Sequence, residues 1–285
     1  KNDRRACSPP KVAWGITRQM IKKFIHLHSL RGWLFIFTIL AIATVLLPLF
    51  NILVPEESVL HVPNYMFALM GKYFCYALVA LAIDLIWGYT GILSLGHGVF
   101  FSMGGYAMGM YLMRSVGKEG VYKSDLPDFM VFLDWKELPW YWYGFDSFIF
   151  TFLVILILPA LFAFTFGYFA FKSRIKGVYF AIITQAMTFA LMLLFFRNET
   201  GFGGNNGLTD FKRILGYSLQ EPSTKMSLYI ITTIVLFLSY ILSRYVVQSK
   251  LGRVLTAIRD AESRVMFSGY NTLHYKLFIW TMSAF

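Results

Sequence analysis

Six long apolar runs, and the start of a seventh, constrain this chain more than any other feature. They are Trp33–Val54, Tyr65–Trp87, Ile92–Met113, Ser147–Phe171, Val178–Phe196, Leu228–Val247, and a last one that opens near Thr272 and reaches Phe285. A helix rises 1.5 Å per residue, so about 20 apolar residues cross the roughly 30 Å of bilayer hydrocarbon. Hydrocarbon offers no partner to backbone amides, which leaves helices or closed barrels as spanning structures. Unbroken runs of this length, without strict alternation, read as helix. The expected fold is therefore all-α, a polytopic helical transmembrane protein with at least seven spans. Charged residues make up only 14% of the chain, too few for a sizeable soluble domain beside the spans. The expected organisation is a basic N-terminal tail over 1–32 and a transmembrane domain over 33–285.

The net charge of +11 is distributed as a topology signal. If the tail Lys1–Arg31 is cytoplasmic and each run crosses once, the inside segments hold 17 Lys/Arg and the outside segments eight, with Lys72 within a span. Asp and Glu run the other way, three inside against eleven outside, with Asp84 within a span. Orientation follows Lys/Arg in the short flanking segments, so the N-terminus is expected in the cytoplasm. Basic charge placed in this way does not indicate nucleic acid.

A basic tail ahead of an apolar run also opens a signal peptide, but Trp33–Val54 is longer than a usual h-region and ends without a small-residue cleavage site. It is read as a retained first span. Cys7 falls in the tail and Cys75 in a span, which excludes a disulfide framework. The chain opens on Lys1 and stops within an apolar run, so both ends are expected to continue.

The stretch "GYTGILSLGHGVFFSMGGYAMGMYLM", Gly88–Met113, holds seven glycines and no charge. Each glycine in a helix interior costs about 1 kcal/mol relative to alanine. Only Gly88–Gly91 separates the second and third runs, which predicts either a tight hairpin or a discontinuous Gly-rich helix. Irregular backbone at membrane depth is tolerated where it is buried in protein or lines a wet path. On a helix, Ser94, Gly98, Ser102, Gly105 and Gly109 would fall within an arc of about 80° and form a groove of small residues. Close helix packing explains the Gly105–Gly109 pair. His97 beside Gly96 and Gly98 is either a satisfied structural histidine or a residue near a solute path. No Cys, Asp or Glu lies at metal-ligand spacing from it, so no metal is expected.

This stretch resembles the glycine-rich segment of branched-chain amino-acid-type ABC importer permeases, the LivM-like subunit. "GFGGNNGLTDFKRILG" (Gly201–Gly216) resembles the family's outer loop after the fifth span, with wording closest to the urea-transporting branch. "SKLGRVLTAIRDAESRVMFSGYNTLHYKLFIWTMSAF" (Ser249–Phe285) resembles its cytoplasmic coupling segment and following helix. The resemblance implies a bacterial inner-membrane permease subunit that pairs with a second, LivH-like permease. Two cytoplasmic ABC ATPases and a periplasmic or extracellular solute-binding protein complete the set. ATP and Mg²⁺ would bind the ATPases, and no cofactor is expected in this chain. On a permease reading, Ser94, Gly96, His97 and Gly98 are the residues expected to line the path.

Read on its own residues, the coupling segment Gly252–Gly269 is amphipathic. Val254, Ile258, Ala261 and Val265 share one face, while Arg253, Thr256, Asp260, Ser263 and Arg264 occupy the others. Asp260 and Arg264 stand at a favourable i,i+4 offset. Such a helix either lies on anionic lipid or docks into an ATPase groove and stops at Gly269. The usual Glu-Ala-Ala ahead of that glycine is replaced here by Ser263-Arg264-Val265. No Walker A pattern is present, since Gly71-Lys72 and Gly117-Lys118 lack its other residues; the chain is expected to be a transporter subunit and not an enzyme.

Thr184, Gln185 and Thr188 form a polar centre in the fifth run, suited to interhelical hydrogen bonds or to contact with an amide solute. Lys72 and Asp84 are about 18 Å apart along a helix and cannot pair. Pro159 predicts a kink. The aromatics of "DWKELPWYWYGFD" (Asp134–Asp146) suit an interfacial belt or a docking surface for the binding protein. A passive channel for a small amide and a proton-pumping or enzymatic membrane subunit are the rival classes. The first needs no coupling helix; the second calls for more ionisable residues within the spans.

Overall fold

A computed structural model describes residues 27–55, 57–58, 60–117, 120, 122–175, 177–204 and 207–285. The basic tail as far as residue 26, with Cys7, lies outside the described residues, as do Asn205 and Asn206 of the outer-loop motif.

Helix α1 (Leu30–Leu53) starts where Ser29 Oγ accepts from the Gly32 amide at 3.3 Å. Its middle widens into a π turn at Ile42–Leu46, just ahead of Pro48. Proline has no amide to return to the carbonyl four residues back, and its ring crowds that carbonyl, so the turn before it opens. The Ala43 carbonyl in that turn accepts instead from the Tyr229 hydroxyl at 3.1 Å. Tyr229 lies on α7 (Pro222–Gln248), which packs along α2 (Asn64–Thr90). Its ring sits between Phe67 and Phe74 of α2, at 5.3 and 5.6 Å.

The second packing centre is Trp280 on α9 (Thr272–Ala284), fully buried against Phe100, Phe171 and Phe180. These come from α3 (His97–Val116), α5 (Phe148–Lys172) and α6 (Val178–Phe196). The Trp280 indole N–H donates to the Ala163 carbonyl of α5 at 2.8 Å. Gly167 makes that approach possible, because a Cβ there would lie 2.5 Å from Trp280 Cδ1. Helix α5 runs on through Pro159 as one element.

Past α3 the chain forms a cap that includes α4 (Asp128–Phe132) and a short 3₁₀ turn, Trp140–Trp142. Met110, Met130, Trp142 and Phe145 make its core. Arg114, at the end of α3, grips Asp146 with two bonds of 2.5 Å. Burial pushes the Tyr141 phenol above its ordinary pKa, and its hydroxyl donates to the Thr200 carbonyl at 2.6 Å. A two-residue hairpin, β1 (Arg213–Ile214) with β2 (Tyr217–Ser218), turns at Leu215 and Gly216, both with positive φ as a type I′ turn requires.

The all-α, polytopic class holds. Among the described residues, five helices are long and apolar enough to cross a bilayer: α1, α2, α5, α6 and α7. The expected third and seventh spans are α3 and α9, and neither meets that measure. Helix α3 has 20 residues but carries many glycines and polar residues; α9 has 13 residues before the chain ends.

Helix α8 (Lys250–Phe267) differs in detail from the expected amphipathic segment. It starts on Ser249, whose hydroxyl accepts from the Leu251 amide at 3.1 Å, and turns tightly enough that a side chain at Gly252 would strike the Val247 carbonyl. Its buried residues are Gly252, Leu255 and Ile258, and Leu255 packs against Leu85 of α2 and Ile279 of α9. Ala261 leaves helical geometry (φ −157°, ψ 74°), so the face from Val254 to Val265 is not continuous. The kink also separates Asp260 from Arg264, and Asp260 accepts from its neighbour Arg259 at 3.0 Å. The stop at Gly269 occurs as expected: its φ is +84°, and the Gly269 and Tyr270 amides return to Met266 and Val265 as in a Schellman motif.

Candidate functional site

Of the two forms expected around Gly88–Gly91, a tight hairpin or a discontinuous helix, the chain takes a break between α2 and α3, a few residues later. Helix α2 continues through Gly88 to Thr90 and is ended by Gly91, whose left-handed φ of +69° lets its amide return to the Trp87 carbonyl at 3.0 Å. Gly91 to Gly96 is irregular backbone, and α3 starts at His97. Such backbone inside a bundle must find partners for groups a helix would have satisfied, or lose several kcal/mol for each.

The polar centre of α6 supplies two of those partners. Thr184 Oγ1 accepts from the Leu95 amide at 3.1 Å, and Thr188 Oγ1, which donates to the Thr184 carbonyl at 3.0 Å, also lies 3.5 Å from the Leu95 carbonyl. Thr184 is fully buried and Thr188 half-buried. Gly96 brings the chain that close. A Cβ there would lie 3.1 Å from both the Thr184 carbonyl and Thr184 Cβ, and 2.8 Å from Met187 Cε.

His97 fastens the other side of the break to α9. Ser94 Oγ accepts from the Gly96 amide at 3.2 Å and meets His97 Nδ1 at 3.1 Å. His97 Nε2 meets Ser283 Oγ at 3.0 Å, and Ser283 Oγ donates to the Trp280 carbonyl at 2.8 Å. Of the two neutral tautomers, the one in which Nε2–H donates to Ser283 and the Ser94 hydroxyl donates to Nδ1 satisfies all four contacts. The imidazole is buried and edge-on to Phe100 and Trp280.

The predicted groove of small residues is therefore divided. Ser94 precedes α3 and has no helical phase with the rest. Gly109 is packed, since a Cβ there would lie 2.7 Å from Leu208 Cδ1. Gly98 and Gly105 face open space, with nothing within 4 Å of a Cβ. Leu95 (52% exposed) and Phe101 (48%) continue this uncovered side of the break and of α3. Gln185 is half-buried, and its amide has no hydrogen-bond partner among the described residues.

Thus Ser94, Gly96, His97, Thr184 and Thr188 come together at one place, with Gly98 at its open edge. Ser283, Trp280 and Met187 complete the arrangement and were not singled out from the sequence. A lone serine and a tryptophan in an apolar run give no periodic signal. Among the described residues no group of His, Cys, Asp and Glu is arranged to hold a metal ion. Lys72 and Asp84 form no pair; Lys72 Nζ lies 5.9 Å from the Tyr76 ring centre.

Beneath the break, at the α8 end of the bundle, a cavity of about 210 Å³ lies between Gly91, Ile92, Phe180, Ile258, Arg259 and Lys276. Lys276 donates to Glu262 Oε1 at 2.6 Å, with both side chains mostly buried, and Thr272 donates to the same oxygen at 3.1 Å.

A family model described as branched-chain amino acid transport system / permease component matches residues 65–285, which contain the break, the cap and α8. No curated protein and no solved structure matches.

Proposed function

Because the chain belongs to the branched-chain amino acid transport system permease family, we propose that it is a translocating subunit of an ATP-binding-cassette importer, with the Gly91–Gly96 break on its solute path and urea as the solute. The observation that carries this reading is the uncovered side of the break. The backbone is fixed from behind by Thr184, Thr188 and His97, while Leu95, Gly98, Phe101 and Gly105 stand open. A path lined on one side only calls for a second subunit, and a LivH-like permease is the partner proposed. The Lys/Arg asymmetry supports a cytoplasmic N-terminus and α8. With Leu255 and Ile258 turned inward, the surface for a cytoplasmic ATPase falls to Met266, Phe267 (92% exposed) and Tyr270. An external binding protein would deliver solute to the aromatic cap.

The wording of Gly201–Gly216 favours urea; the family description favours branched-chain amino acids, the second reading. The test is the complex reconstituted in vesicles with its ATPases and binding protein, offered labelled urea and labelled leucine separately. ATP-dependent accumulation of urea is expected. Accumulation of leucine alone moves the assignment to the second reading. Downhill flux of either solute that persists without ATPase subunits would make the chain a passive channel and refute the importer.

A further inference from the structure

The geometry points to Arg259 as the positioning residue that ties the break in the solute path to α8, so that displacement of α8 is passed to Gly91–Gly96 within this one subunit. The inference rests on the importer reading above and adds a specific residue to it. Arg259 Nη1 donates to the Gly88 carbonyl at 2.7 Å, in the last turn of α2. That carbonyl lies where α2 is ended by Gly91, and the last turn of a helix leaves carbonyls without intrahelical donors. A guanidinium there is also favoured by the helix dipole. The methylenes of the same side chain lie against Gly91, where a Cβ would be 3.0 Å from Arg259 Cγ.

The neighbours of Arg259 make the tie directional. On one side, Leu255 seats α8 against Leu85 and Ile279, and Ile258 is buried. On the other, the chain leaves helical geometry at Ala261, and beyond it Met266 and Phe267 are exposed. The part of α8 before the kink is therefore bound to the break, while Met266 and Phe267 at its far end stand open to another protein. Three residues after Arg259, the Glu262–Lys276 pair bonds the segment to α9, which also carries Ser283, the partner of His97. The break is thus reached from α8 by two routes, directly through Arg259 and through α9. Only the first acts on Gly88 and Gly91, and Arg259 is 42% exposed. It can be changed without opening the core.

The test uses the reconstituted complex with Arg259→Ala, Arg259→Met and Arg259→Lys, and Arg253→Ala as the control for charge on the same helix. Arg259→Met keeps the methylene contact over Gly91 and loses the donors. Three quantities are read: copurified ATPase, ATP hydrolysis, and labelled urea or leucine moved per ATP, using whichever solute the unsubstituted complex accumulates. Arg259→Ala and Arg259→Met are expected to keep ATPase copurification and hydrolysis within about twofold while moving at least fivefold less solute per ATP. Arg259→Lys should recover part of the ratio, and Arg253→Ala should leave it unchanged. A second readout needs no solute. With Cys7 and Cys75 replaced by Ser and Leu95 by Cys, addition of ATP should change the maleimide labelling rate at position 95, and Arg259→Met should abolish that change. Loss of uptake only in proportion to lost complex or lost hydrolysis would overturn the proposal. So would an unchanged solute-to-ATP ratio, or ATP-dependent labelling that survives Arg259→Met. Failure of the unsubstituted complex to couple ATP to either solute would instead count against the importer reading.

Discussion

Two glycines two residues apart should answer oppositely to the same added methyl group. At Gly96 the new Cβ would meet the Thr184 carbonyl and Thr184 Cβ at 3.1 Å and Met187 Cε at 2.8 Å. The methionine end can swing aside, but the α6 backbone cannot, so the break must move away from Thr184 and lengthen the 3.1 Å bond from the Leu95 amide. Overpacking of this kind costs about 1–3 kcal/mol. Gly96 has φ −102°, which alanine adopts freely, so the cost is contact alone. At Gly98 nothing lies within 4 Å, and the residue is inside α3; alanine there gains up to about 1 kcal/mol of helix propensity. Thermal unfolding of the purified protein in detergent, followed by circular dichroism, reads both. At about 2–4 °C per kcal/mol, a cost of about 1–3 kcal/mol means that Gly96→Ala should lower the midpoint by roughly 2–12 °C, while Gly98→Ala should leave it unchanged or raise it. Equal losses at the two positions, or no loss at Gly96, would refute the close approach argued for the break. Reduced uptake or assembly by Gly98→Ala without loss of thermal stability would locate its effect on the uncovered side.

Thr184→Val removes the acceptor for the Leu95 amide without changing volume; stability should fall by about 1–3 kcal/mol, and by less for Thr188→Val, whose bond to Leu95 is the longer one. Glu262→Gln leaves the Lys276 ammonium buried without its carboxylate and should cost about 3–5 kcal/mol, whereas Glu262→Gln with Lys276→Met should recover most of the loss in the same unfolding assay. Single cysteines at Ser218 and Ser173, both exposed, test the orientation in whole cells: an impermeant maleimide should label position 218 directly and position 173 only after permeabilisation.

The class of this protein was legible in its sequence because the bilayer imposes a length and a composition that any spanning helix must meet. The positions of α1, α2, α5, α6 and α7 follow from that requirement alone. The glycines of Gly88–Met113 marked irregular backbone, and Gly269 marked the end of α8, because a positive φ is a local property that glycine alone takes without strain. Helical phase failed where the chain was not helical: Ser94 was placed on a groove it does not share, and Ala261 on a face that ends before it. Which side of α8 turns inward was also beyond the sequence, since an apolar stripe is equally suited to lipid, to a partner or to α2 and α9. Only the tertiary structure brought Thr184 to Leu95 across 89 positions and Ser283 to His97 across 186. Those pairings satisfy backbone and imidazole groups that cannot remain unpaired in hydrocarbon, and hydrogen bonds between distant residues leave no periodic trace along a chain.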